Sequence, residues 1–163
     1  TFLFRDLVQR RLNGLNPFDN SATVYEGSHD DAALNAGVTR FRADPMGVAR
    51  LGYDADLSGL IVAPTLTIHG KDDPTAFVSL EAVYRDTVAA AGRSDLLVQT
   101  FTDEAEHSRL SPPEYVGLFQ AMMRWVDEGE KPPPDSVATL CQAAAPRYET
   151  GCHFDTDFRP VAN

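Results

Sequence analysis

The stretch Ala63-Pro64-Thr65-Leu66-Thr67-Ile68-His69-Gly70-Lys71-Asp72-Asp73-Pro74 limits what this chain can fold into more than any other. Thr65 to Ile68 is short, apolar and β-branched, the pattern of a buried strand rather than a helix. It stops at Gly70, and two carboxylates and a proline turn the chain away. A helix-period segment follows over roughly 76–91, with Val78, Leu80, Val83, Tyr84, Val88 and Ala91 near one face and Gly92 in the C-terminal glycine position. A second apolar strand covers 96–101. Strand, helix, strand at this spacing makes two parallel neighbours. A parallel pair alone is not a stable sheet, because its faces and edges need further strands. Residues 1–60 contain no strong strand to serve. The expectation is that another polypeptide, or upstream sequence, completes the sheet. Residues 1–163 in isolation should then fold poorly and show no cooperative thermal transition.

Parallel sheets gather their chemistry at the carboxyl ends of the strands. Asp73 and its neighbour Asp72 lie at the end of the first, and His107, in Glu106-His107-Ser108, lies just beyond the second. An acid that orients an imidazole, with that imidazole acting as general base, is the chemistry such a pair supports. The competing reading of Asp72-Asp73-Pro74 is a turn with a helix cap. For His107 it is a surface histidine beside a helix start. His69, ahead of Gly70, is expected to be structural, bonding a backbone carbonyl. His29 with Asp30 and Asp31 lacks the converging partners of a metal site, and His153 reads as structural or exposed. A nucleophile is missing. Ser28 has one flanking glycine but no strand–turn–helix setting, and Thr1, a free-amine candidate, begins an amphipathic helix.

The rest of the chain sorts by its punctuation. Residues 2–13 put Leu3, Phe4, Leu7, Val8 and Leu12 on one helical face, and Asn13-Gly14 ends that helix. Ala22 to Tyr25 is a possible short strand. Asp30 or Asp31 suits the cap of a helix over Ala32–Ala36, and Asp44-Pro45 opens a helix over Met46–Leu51. Ser111-Pro112-Pro113-Glu114 is a capping box opening a helix whose apolar face is Tyr115, Leu118, Phe119, Met122, Trp125 and Val126. Gly129 closes it, and Pro132-Pro133-Pro134 forms a stiff exit. Three regions follow: a helical segment at 1–59, an α/β segment at 60–130 and a proline-rich tail at 131–163. Phe2, Phe4, Phe18 and Tyr25 are candidates to line a pocket, with core packing the simpler role.

The formal net charge of −10 argues against nucleic acid and anionic membrane surfaces as partners, since both need a basic face. No apolar run approaches the roughly 20 residues of a membrane span. The two cysteines, Cys141 and Cys152, flank a turn-rich loop containing Pro146 and Gly151. That arrangement suits a local disulfide and an oxidising compartment, the alternative being two free cytosolic thiols.

Taken together, Pro64 to Pro74, then Glu106-His107-Ser108, then the helix closing at Trp125 resemble the C-terminal part of an α/β-hydrolase fold enzyme, over roughly residues 60–130. The resemblance implies an α/β fold with a helical lid preceding these two edge strands. It implies the acid three positions after the glycine, hence Asp73 rather than Asp72, and His107 as the triad histidine. The Cys141–Cys152 tail is similar to those of secreted or periplasmic bacterial members. The Gly-x-Ser-x-Gly elbow, the oxyanion hole and the first strands of that family are missing. The implied protein is therefore a serine hydrolase whose nucleophile lies on a companion N-terminal chain. Its expected substrate is a small-molecule ester, with an amide or peptide as alternative, and it needs no cofactor. A non-catalytic binding module of the same architecture is the other class of reading.

Overall fold

The computed structural model describes residues 2–162, so Thr1 and its proposed nucleophilic role lie outside the described residues. The chain forms two compact units, Thr1–Asp56 and Leu57–Asn163. The architecture is mixed α/β: helices accompany a parallel two-stranded sheet.

In the first unit, α1 (Phe2–Arg5) runs directly into a π-helical turn, Asp6–Arg11. Only Val8 and Leu12 of the expected apolar face are buried. Then come α2 (Asp31–Gly37), capped by Asp30 through the Ala33 N–H, and α3 (Pro45–Ala55). Asp44 caps α3 by accepting from Met46 and Gly47 N–H, and Pro45 supplies a preset first residue. The strand expected at Ala22–Tyr25 does not form. Its backbone groups are met by side chains instead. Asn35 accepts from Tyr25 N–H at 2.9 Å and donates to Tyr25 C=O at 2.7 Å, and Arg40 donates to Thr23 C=O at 2.5 Å. With those groups satisfied, no ladder partner is needed.

The second unit carries the sheet. Strand β1 (Thr65–Gly70) pairs in parallel with β2 (Leu97–Thr102), Thr65 opposite Leu97 and Gly70 opposite Thr102. The crossover is α4 (Ser79–Ala90), which buries Ala82 and Val88. Every β2 residue but Gln99 is buried, whereas β1 is half-buried from Thr65 to His69 and, among the described residues, is paired on one side only. After β2 come α5 (Pro112–Glu128) and α6 (Pro134–Ala144).

The buried face of α5 differs from the expected one. Gly117, Ala121 and Trp125 face inward, while Phe119, Met123 and Val126 are exposed. The cause is α6. A Cβ on Gly117 would stand 2.7 Å from Cys141 N and 2.9 Å from Val137 O, so the small-residue stripe is what lets α6 approach. Helix α6 is itself additional to the expected stiff exit. Pro134 occupies its first turn, where a missing N–H costs nothing. Cys141, buried on α6, is bonded to Cys152 with a Cα–Cα separation of 6.1 Å. Replacing both cysteines by serine is expected to lower unfolding free energy by about 3 kcal/mol, the effect of a loop this size on the unfolded chain. The denaturant midpoint measures it, and a change under about 0.5 kcal/mol would mean the tail is held without the bond.

Candidate active site

Asp73 sits in the turn after β1, and its side chain is 8% exposed. One carboxylate oxygen, Oδ1, accepts from Thr75 N–H at 2.8 Å and Ala76 N–H at 2.9 Å. The other, Oδ2, lies 2.7 Å from His107 Nδ1. Asp72, adjacent in sequence, is exposed.

These contacts fix the charge of Asp73. The Ala76 N–H, followed by the His107 and Thr75 hydrogen bonds, holds its carboxyl down at about 2, against an opposing effect of desolvation. The folded-state value lies below the ordinary 3.8, so the stabilisation is present above pH 3.8 and is lost as pH falls through about 2. An NMR titration of the Asp73 carboxyl carbon should give a midpoint near 2, and one near 3.8 would show that the turn is not formed in solution.

His107 follows from the loop after β2. Its side chain is 49% exposed, and among the described residues Nε2 makes no hydrogen bond. With Asp73 ionised, Nδ1 must donate, so the neutral imidazole carries its lone pair on Nε2. The next residue, Ser108, holds a left-handed backbone at φ 57°. This conformation costs a non-glycine residue about 1–2 kcal/mol, and it turns the chain immediately behind the imidazole. No sequence signal marked it.

The acid turn and the histidine loop approach closely because Gly70 has no side chain. A Cβ there would fall 2.5 Å from the Glu104 carbonyl oxygen. Lys71 then joins the two segments to the tail. Its Nζ lies 2.5 Å from both Asp103 Oδ1 and Asp155 Oδ2. The Asp103 and Asp155 carboxylates raise the ammonium above its ordinary value, and Lys71 in turn lowers Asp155.

His69 bonds the Ala76 carbonyl through Nε2 at 2.8 Å, the structural role expected of it. It thereby holds the residue whose N–H caps Asp73. His29 and Ser28 lie in the first unit, where Ser28 Oγ donates to Asp31 Oδ1. Phe4 and Phe18 pack together with ring centroids 5.2 Å apart, and Tyr25 lies under Arg40. Among the described residues, the one cluster with metal-ligand types is Glu104, Glu114 and His153, whose ligand atoms lie within 4.8 Å of one another. Its members already contact one another: His153 Nδ1 hydrogen-bonds Glu114 at 3.2 Å and lies 3.0 Å from the Glu104 carboxylate. The fully buried Glu114 carboxylate also accepts from Ser111 and His153 N–H. Sequence reasoning assigned no function to Lys71, His153 or Asp155.

A cavity of about 470 Å³ adjoins the acid, lined by Asp73, Lys71, Phe77, Val78, Phe158 and Pro160 among others. A separate groove of about 460 Å³ opens on β2 beside Leu97, Val98 and Pro133, with neither Asp73 nor His107 in its wall. No helix among the described residues is long and apolar enough to cross a membrane.

Comparison with protein-family models, with curated proteins and with solved structures finds no match for this chain.

Proposed function

We propose that these residues form the C-terminal part of a serine hydrolase of the α/β-hydrolase fold and supply the acid and base of its triad. The observation that carries this reading is the 2.7 Å contact between Asp73 Oδ2 and His107 Nδ1, made beyond the ends of two neighbouring parallel strands. An oriented acid–imidazole pair with Nε2 unengaged is half of a nucleophile-activating device. The half-buried, one-sided β1 and the exposed Phe119, Met123 and Val126 stripe of α5 support a larger sheet and helix layer around it.

In this reading the serine and the oxyanion donors come from polypeptide outside residues 1–163. His107 Nε2 takes the hydroxyl proton as Oγ attacks an ester carbonyl, and returns it to the departing alkoxide. Asp73 holds the ring in the required tautomer and stabilises the imidazolium. Water then attacks the acyl-enzyme by the same proton route in reverse. A disulfide-bonded tail fits a secreted or periplasmic setting. Intact-mass analysis of the purified protein, with sequencing of what precedes or accompanies these residues, tests the proposal. A Gly-x-Ser-x-Gly following a strand pattern is expected. Its absence would favour a hydrolase-like binding module without catalysis.

A further inference from the structure

Two groups that catalyse together must be held at a fixed separation, yet Asp73 and His107 sit on separate loops. The tail touches the base of both. Phe154 makes an antiparallel bridge with Thr102, the last residue of β2. On either side of it Asp103 N–H donates to His153 C=O at 2.9 Å, and Asp155 N–H donates to Phe101 C=O at 2.9 Å. The tail therefore pairs with β2 at the point where the histidine loop begins.

Side chains extend this pairing to the acid turn and to α5. Lys71, two residues before Asp73, places one ammonium between Asp103 of the histidine loop and Asp155 of the tail. His153 stands between Glu104 of the histidine loop and the buried Glu114 of α5. Ser111, at the start of α5, donates to Gly151 C=O at 2.7 Å, and Cys152 is fastened to α6. The segment Gly151–Asp155 is thus anchored at one end by the disulfide and grips the histidine loop at Asp103 and Glu104.

We propose that this disulfide-anchored tail is a brace that sets the separation of Asp73 and His107, and that Lys71 and His153 are its positioning residues. The proposal rests on the reading of Asp73 and His107 as a catalytic pair. Neither positioning residue hydrogen-bonds Asp73 or His107, so both act through the loops. Charge makes Lys71 the more consequential of the two. Removing its ammonium leaves Asp103 and Asp155 facing each other uncompensated, and like charges push the histidine loop off the tail.

The test uses the assembled protein and two readouts, one of which needs no hydrolase activity. The first is the downfield NMR resonance of the His107 Nδ1 proton shared with Asp73. The second is the division of any ester-turnover change between kcat and KM. Lys71→Met is expected to weaken or broaden the resonance and to lower kcat by about 10²-fold, the cost of a displacement on the ångström scale, with KM little changed. Adding Asp103→Asn to Lys71→Met removes the repulsion and should restore part of both signals. An Nδ1 resonance and kcat indistinguishable from wild type in Lys71→Met would overturn the brace. Should Lys71→Met not fold, Asp155→Asn replaces it. That change keeps an acceptor for the Asp157 and Phe158 N–H groups but sets an amide NH₂ in place of the carboxylate oxygen that faces Lys71, so both the charge and the hydrogen bond to the ammonium are lost. An unaltered resonance there overturns the proposal equally. If the wild-type protein has no esterase activity, the hydrolase reading fails, while the resonance still decides whether the tail positions the pair.

Discussion

Replacing His107 with alanine in the assembled protein is expected to lower ester turnover by about a million-fold, the effect of removing the base from a cooperating triad. The size follows from where the imidazole stands. Its Nδ1 is committed to Asp73 at 2.7 Å, and Nε2 alone is left to accept and return a proton. The other two histidines of the second unit are already engaged. His69 is committed to the Ala76 carbonyl, and His153 is committed to Glu104 and Glu114. The loss should fall on kcat with KM little affected, since the base acts only as the transition state forms. Stability should scarcely change, because the side chain is half exposed. Turnover within a few-fold of wild type would remove His107 from the mechanism.

Asp73→Asn should cost about 10⁴-fold in kcat, and the local hydrogen bonds explain why so conservative a change does so much. Thr75 and Ala76 N–H both point at Oδ1. An asparagine must keep its carbonyl oxygen there, because an amide nitrogen would set donor against two donors. Its NH₂ group is then forced toward His107 Nδ1. That ring nitrogen must become the acceptor, which moves the proton to Nε2 and removes the lone pair the mechanism needs. The variant should therefore fold normally and still hold the wrong tautomer. Nitrogen chemical shifts of the His107 ring report this directly. An Nδ1–H tautomer retained in Asp73→Asn would contradict the account.

The parts of the fold that were legible in the sequence are those whose causes are local. The run Thr65–Ile68 ahead of Gly70 located β1, and Leu96–Phe101 located β2 to within a residue at each end. Asp44-Pro45 and Ser111-x-x-Glu114 marked two helix starts through caps whose partners are three residues away or fewer. Cys141 and Cys152 indicated their bond because so few residues separate them.

What was not legible depends on distant contacts. The inward face of α5 is set by α6: Gly117 and Ala121 turn in beside Trp125, while Tyr115, Phe119 and Val126 of the sequence pattern are left exposed. The strand pattern at Ala22–Tyr25 yields to Asn35 and Arg40, which claim its backbone groups. Lys71 meets Asp155 across 84 residues, so nothing near Gly70-Lys71-Asp72-Asp73 marks the lysine as different from any solvated charge. The candidate site divides in the same way. Asp73 was marked by its place after the strand and its glycine. Its hold on His107 depends on the two backbone N–H groups of a turn that only the folded chain shows.

The central claim is that Asp73 and His107 activate a serine that lies outside these 163 residues. The most direct measurement is covalent labelling of the assembled protein by a fluorophosphonate, with the adduct located by mass spectrometry, in wild type and in His107→Ala. The account predicts one labelled serine, carried by polypeptide beyond residues 1–163, and labelling that is largely abolished in His107→Ala. No adduct in the wild type, an adduct on a serine within residues 1–163, or labelling that proceeds equally fast without His107 would contradict it.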